Sequence, residues 1–120
     1  SSSLKISAGE QIAFMRKLAL YELHISRESM DKTRRIIFLG ELSHGWNFYG
    51  KTGTGLASGQ DGNYLNNNLQ AGWFVGWAEK EKTSYVIVMH MERYFAKELP
   101  AGPFAKKKCR QLLLESGLLK

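Results

Sequence analysis

The chain has 120 residues but only one cysteine and two prolines, and it contains no long apolar run. A lone Cys109 excludes an internal disulfide and any zinc centre built from several thiolates, and it leaves the redox compartment undecided. No stretch approaches the roughly 18 apolar residues needed to cross a bilayer, so no membrane span is predicted. The opening SSSLK has neither a methionine nor a basic flank before an apolar run. It therefore reads as a processed chain, an expression product or an excised piece, not as a signal peptide. His24, His44 and His90 show no ligand spacing, and no two carboxylates are spaced for acid/base work. In the run MHM at 89–91, strand alternation turns Met89 and Met91 away from His90, which favours a core strand over a soft-metal site. Neither a metal nor a cofactor is expected.

What is present is an excess of positive charge, +6 at neutral pH. Such a charge attracts polyanions weakly. Much of it lies in Lys106, Lys107, Lys108 and Arg110 on one predicted helix, where a charge run is a solvated face. The basic residues are not interleaved with aromatics, so no nucleic-acid partner is expected. The length suits one domain with its own core.

Hydrophobic spacing orders the chain. Ser7 and Glu10 have capping-box spacing, and Ile12, Met15, Leu18 and Ala19 recur at helical period, predicting a helix over 8–22. Ser26 can cap a second helix over 27–39, with Met30, Thr33, Ile36 and Ile37 inward and Gly40 as its left-handed stop. WNFYGKTG alternates and is aromatic, predicting a strand over 46–54. A polar loop over 55–68 leads to strands over 69–79 and 84–93, and Pro103 opens a last helix over 103–116. Short connections make the strands a three-stranded antiparallel meander packed with N-terminal helices and a C-terminal helix, an α+β fold. Consecutive pairing leaves 46–54 and 84–93 as the sheet edges.

Two stretches carry chemistry. On a strand, Lys51 and Gly53 share one face and Thr52 takes the other, so an ammonium, a hydroxyl and bare backbone can meet an anionic group. Taken alone, those three residues are better explained by a solvated surface strand. In GWFVGW (72–77), Trp73, Val75 and Trp77 share one face while Gly72, Phe74 and Gly76 share the other. The glycines permit close approach of backbone, helix or ligand.

Taken in order, FYGKTGTG, a polar loop, AGWFVGWAEKE, SYVIVMHM and a C-terminal helix resemble the C-terminal part of class D serine β-lactamases. These are the oxacillin-hydrolysing members of the penicillin-recognising superfamily. LKISAGEQIAFMRKL resembles the helix before that region, so the resemblance covers nearly the whole chain, and it extends to related penicillin-sensor domains. It implies the β-lactamase/transpeptidase-like fold, with residues 1–120 as a single partial domain, periplasmic in location. It implies that Lys51, Thr52 and Gly53 line a β-lactam site, the first two holding the substrate carboxylate. The Thr54 backbone N–H would supply half of an oxyanion hole.

The departures concern the rest of the machinery. The family places Ser-x-x-Lys, whose lysine is carbamylated and acts as base, then Ser-x-Val and Tyr-Gly-Asn, all before Lys-Thr-Gly. Ser2–Lys5, Ser29–Lys32 and Ser84–Val86 match the short patterns by chance, each in the wrong context or order, and Tyr-Gly-Asn does not occur. Many class D enzymes also carry an arginine near the start of the last helix that pairs with the substrate carboxylate. By spacing that position falls near Ala105, leaving Lys106 and Lys107 as candidate substitutes without the bidentate fork. The expectation is a β-lactamase fragment, inactive alone because nucleophile and base lie elsewhere, and self-associating through its exposed strand 84–93. The alternative is a fragment of a penicillin-binding sensor domain.

Overall fold

The computed structural model describes residues 8–23, 25–56, 69–94 and 99–120. Helix α1 (Ala8–Ala19) and helix α2 (Arg27–Ile36) come first, followed by strands β1 (Phe38–Glu41), β2 (Asn47–Leu56), β3 (Leu69–Lys80) and β4 (Thr83–Tyr94), and helix α3 (Ala101–Glu115). Ser7 of the expected capping box and most of the expected loop at 55–68 lie outside the described residues. The sheet runs β1-β2-β3-β4, antiparallel throughout.

The α+β layout stands, with four strands where the sequence predicts three. The extra strand is taken from the predicted second helix. Met30 is buried as expected, but α2 stops at Ile36, whose side chain is 82% exposed. The Ile37 carbonyl instead accepts from the Gly50 N–H at 2.9 Å, and Phe38 pairs with Tyr49. Gly40, at φ 105, sits beside a register shift in β1 and does not stop a helix. The expected edge at 46–54 is therefore covered over its first residues, while β4 remains an edge.

Helix α1 also ends early. The Glu22 N–H bonds the Lys17 carbonyl at 2.7 Å and the Tyr21 N–H the Leu18 carbonyl at 3.3 Å, the double closure of a Schellman motif. Its left-handed position is filled by Tyr21 at φ 58, where glycine is usual. The ring compensates: its hydroxyl donates to Asp31 Oδ1 at 2.6 Å, and the Arg27 and Arg34 guanidiniums lie 4.1 and 4.8 Å from its centroid. That hydrogen bond is the main cause holding the Tyr21 phenol above its ordinary pKa, with burial adding to it.

Helices cover both sheet faces. Under α3, Phe48, Phe74 and Ala78 meet Ala105, Cys109, Leu113 and Leu119. On the opposite face, Trp77 packs with Leu18, Ala19 and Met30, and Tyr49 stacks on Trp77 at 4.7 Å. Arg34 ties α2 to β3 there, holding both Glu79 carboxylate oxygens at 3.0 and 2.7 Å. Its guanidinium also lies 5.0 and 5.3 Å from the Tyr49 and Trp77 centroids.

The α3 helix begins at Ala101, two residues before the predicted start, after Pro100, which offers no side-chain cap. Its first two N–H groups are satisfied from the sheet. Ala101 donates to Gln70 Oε1 at 3.1 Å, and Gly102 donates to Thr54 Oγ1 at 2.8 Å. A Cβ at Gly72 would collide with the Ala101 backbone, and one at Gly102 with Thr54 Oγ1 and the Gly53 carbonyl. Two glycines thus set how closely helix and sheet approach.

Candidate functional site

The candidate site lies along β2 beyond the reach of β1, which pairs only with Asn47 to Tyr49. Lys51, Gly53 and Gly55 stand on the face shared with α1 and α2, opposite Val75, Trp73 and Ala71 of β3. Lys51 is exposed and its ammonium donates to the Thr52 carbonyl at 3.2 Å. A Cβ at Gly53 or Gly55 would meet nothing within 4 Å. The result is a strip of bare backbone with a cation at one end and Trp73, partly buried, alongside Gly53.

Strand geometry supplies the donors. The N–H and C=O of one residue in an antiparallel strand point to the same side, and the next residue's point to the other. Gly50 directs its N–H away from β3, toward the Ile37 carbonyl. The same parity turns the N–H groups of Thr52 and Thr54 toward that side, where β1 no longer runs. A ligand lying along this edge can accept from backbone N–H groups while facing the Lys51 ammonium. The Thr54 hydroxyl points to the opposite face, where it caps α3.

Lys51, Thr52, Gly53 and Thr54 are thus brought together as one strand, but the other two expected residues do not join them. Lys106 and Lys107 line a cleft of about 220 Å³ with Leu39, Phe48 and Arg110, on the α3 face. The sheet lies between them and Lys51. The residue of α3 that abuts the Lys-Thr-Gly strand is Gly102, one helical turn earlier than Lys106, because the helix starts at Ala101. Of the chance serine motifs, Ser29 lies in the first turn of α2, where its N–H bonds the cap oxygen of Ser26 at 3.0 Å. Lys32 pairs with Glu28 at 3.4 Å on the exposed side. Ser84 lies in β4 opposite Glu79, and Ser2 and Lys5 lie outside the described residues.

Sequence reasoning missed Gln70 and Gly102, which fix α3 against the strand, and the Arg34–Glu79 pair. Only Gly102 had a sequence signal, a glycine directly ahead of Pro103 at the predicted helix start. Cys109 is buried, and burial pushes its thiol up to about 11. Among the described residues no group of acidic, histidine or cysteine side chains is placed to hold a metal ion, and no helix is long and apolar enough to cross a membrane.

The sequence and the fold resemble those of known proteins. The β-lactamase OXA-1 of Escherichia coli is 34% identical over 113 residues, which are 93% of this chain and 38% of that protein. The regulatory protein BlaR1 of Staphylococcus aureus is 32% identical over 121 residues, covering 98% of this chain and 18% of that protein. The crystal structure of the class D β-lactamase OXA-427 matches with a TM-score of 0.81 at 34% identity, covering 95% of this chain and 46% of that one. The C-terminal domain of the Bacillus licheniformis BlaR penicillin receptor matches at 0.80 and 27% identity, covering 98% and 43%. The chain therefore spans less than half the length of the relatives it matches. The profile of the penicillin binding protein transpeptidase domain matches residues 1–108. The chain belongs to the penicillin-binding protein transpeptidase family, in which its relatives are class D β-lactamases and penicillin-receptor sensor domains.

Proposed function

We propose that this chain is the C-terminal part of a class D serine β-lactamase and supplies one wall of its active site. The observation that carries this reading is the open strip of β2, with bare backbone at Gly53 and Gly55 beside the Lys51 ammonium. In the complete enzyme a β-lactam lies along that strip. The Lys51 ammonium and the Thr52 backbone N–H hold its carboxylate, and the Thr54 N–H polarises the lactam carbonyl as half of an oxyanion hole. The serine nucleophile, its second oxyanion donor and the lysine base come from chain outside these 120 residues. Alone, the chain does not turn over a β-lactam, because acyl transfer without an activated nucleophile loses most of its rate. Lys106 and Lys107 are left out of the proposed site, since they face the other side of the sheet. Its kinship with class D β-lactamases supports a periplasmic location for the complete enzyme.

Mass spectrometry of the chain incubated with benzylpenicillin tests this reading. No acyl adduct is expected, and a stable adduct on any serine here would sink it. A second reading, a fragment of a penicillin-sensor domain, is favoured by the nearly equal match to the BlaR receptor domain. The two part in the complete protein: a sensor keeps its acyl group, whereas a β-lactamase releases it by hydrolysis.

A further inference from the structure

At the corner formed by α2, β1 and the start of β2, the fold leaves a cavity of about 560 Å³. That is the size range of small-molecule sites. It lies on the same sheet face as Lys51 but is reached through Asn47 and Tyr49, at the other end of β2. Its charges are unevenly committed. Arg34 is held by Glu79 and Asp31 by the Tyr21 hydroxyl, so those pairs are closed. Arg35, the next residue on α2, is exposed and has no ion pair among the described residues. The Asn47 amide and the Tyr49 hydroxyl have no side-chain hydrogen-bond partner among the described residues. Phe38 is 46% exposed, its ring tilted at 55° to that of Tyr49.

We propose that this cavity binds a planar aryl carboxylate. The guanidinium of Arg35 takes the carboxylate in its fork, Asn47 and Tyr49 donate to the same group, and the ligand ring packs on Phe38. A cation ligand is disfavoured because Asp31, the one acid among the described lining residues, is already bonded to Tyr21 and two arginines line the same cavity. The proposal does not depend on β-lactam recognition at Lys51, which uses the other end of the strand.

The test titrates benzoate into the chain and follows backbone amide chemical shifts. Saturable shifts are expected at residues 35–38 and 47–49, with benzyl alcohol and acetate each binding about tenfold more weakly or worse, since each lacks one half of the ligand. Arg35→Ala should weaken benzoate by about tenfold without changing the thermal midpoint, as Arg35 is exposed and unpaired. Lys51→Ala should leave the titration unchanged, which separates this site from the proposed β-lactam strand. The proposal is overturned if no saturable shifts appear, if they gather at residues 51–55, if acetate binds as well as benzoate, or if Arg35→Ala binds as tightly as the parent.

Discussion

At the scale of single residues, small side chains and one paired charge decide the geometry around β2. Gly102 touches the Gly53 carbonyl and caps itself on Thr54, so any Cβ there presses on backbone, not on a flexible chain end. Gly102→Ala gains at most ~1 kcal/mol of helix propensity, but overpacking against the strand costs about 1–3 kcal/mol. The expected outcome is a lower urea midpoint with unchanged slope. Arg34 and Glu79 present a different case. Their side chains are 11% and 20% exposed, so solvent screens the pair only partly. Glu79→Gln leaves the guanidinium without its counter-charge among three aromatic rings. The expected loss is about 2 kcal/mol, below the 3–5 kcal/mol of fully buried pairs. A stability change under about 0.5 kcal/mol, the usual range of surface substitutions, would show the pair to be incidental.

At the scale of elements, the two edges of the sheet differ. β1 is four residues long, irregular in register and marked by a left-handed glycine, features that discourage further pairing. β4 is twelve residues long, and its Val86, Ile87, Val88 and Met89 are only partly buried. Paired antiparallel with a second copy about Val88, β4 would set Ile87 against Met89 and Val86 against His90, apolar contacts for the most part. We therefore propose that the isolated chain dimerises through β4, and that Val88→Lys returns it to a monomer in sedimentation velocity. A monomeric parent chain at high concentration would contradict this.

The same elements show what the sequence could disclose. β2, β3 and β4 were legible because period-two alternation and local turns define them, and the Lys-Thr-Gly strand was legible with them. β1 was hidden, since Ile36, Ile37 and Phe38 extend the helical stripe of α2 as readily as they pair with a strand. Gly40 serves a helix stop or an irregular strand equally well, so it could not arbitrate. Nothing near Tyr21 announced a left-handed tyrosine, because the Asp31 and Arg34 contacts that hold it come from α2. The start of α3 was misplaced for a similar reason: its caps, Gln70 and Thr54, lie 31 and 48 residues away.

At the scale of the whole molecule, one sheet is covered on both faces, and the two cores respond to different tests. The α3 core contains Cys109, whose thiol burial raises from 9.0 to about 11. A raised acid favours the folded state while its proton is bound in both states, below the unfolded value. Stability from this group should therefore hold below pH 9 and decline as pH rises toward 11, by up to about 3 kcal/mol. Cys109→Ala should flatten that part of the profile in urea denaturation, and an equally steep profile in the variant would assign the decline to other groups. Against the opposite core the Tyr21 phenol, raised chiefly by its hydrogen bond to Asp31, adds its own decline at still higher pH.

The contact of Gly102 with the Lys-Thr-Gly strand also bears on how this protein can change over evolutionary time. The first turn of α3 backs directly onto the strand, and so is the shortest mutational route to reshaping the proposed site from behind. That route is closed at position 102, because any substituent must displace the backbone it would serve. Shifts in substrate preference have to arise on the other side of the strip, or arrive together with a compensating change at Gly53 or Thr54. Selection acting on this corner therefore moves in pairs of substitutions, and single ones are removed by their cost to the fold.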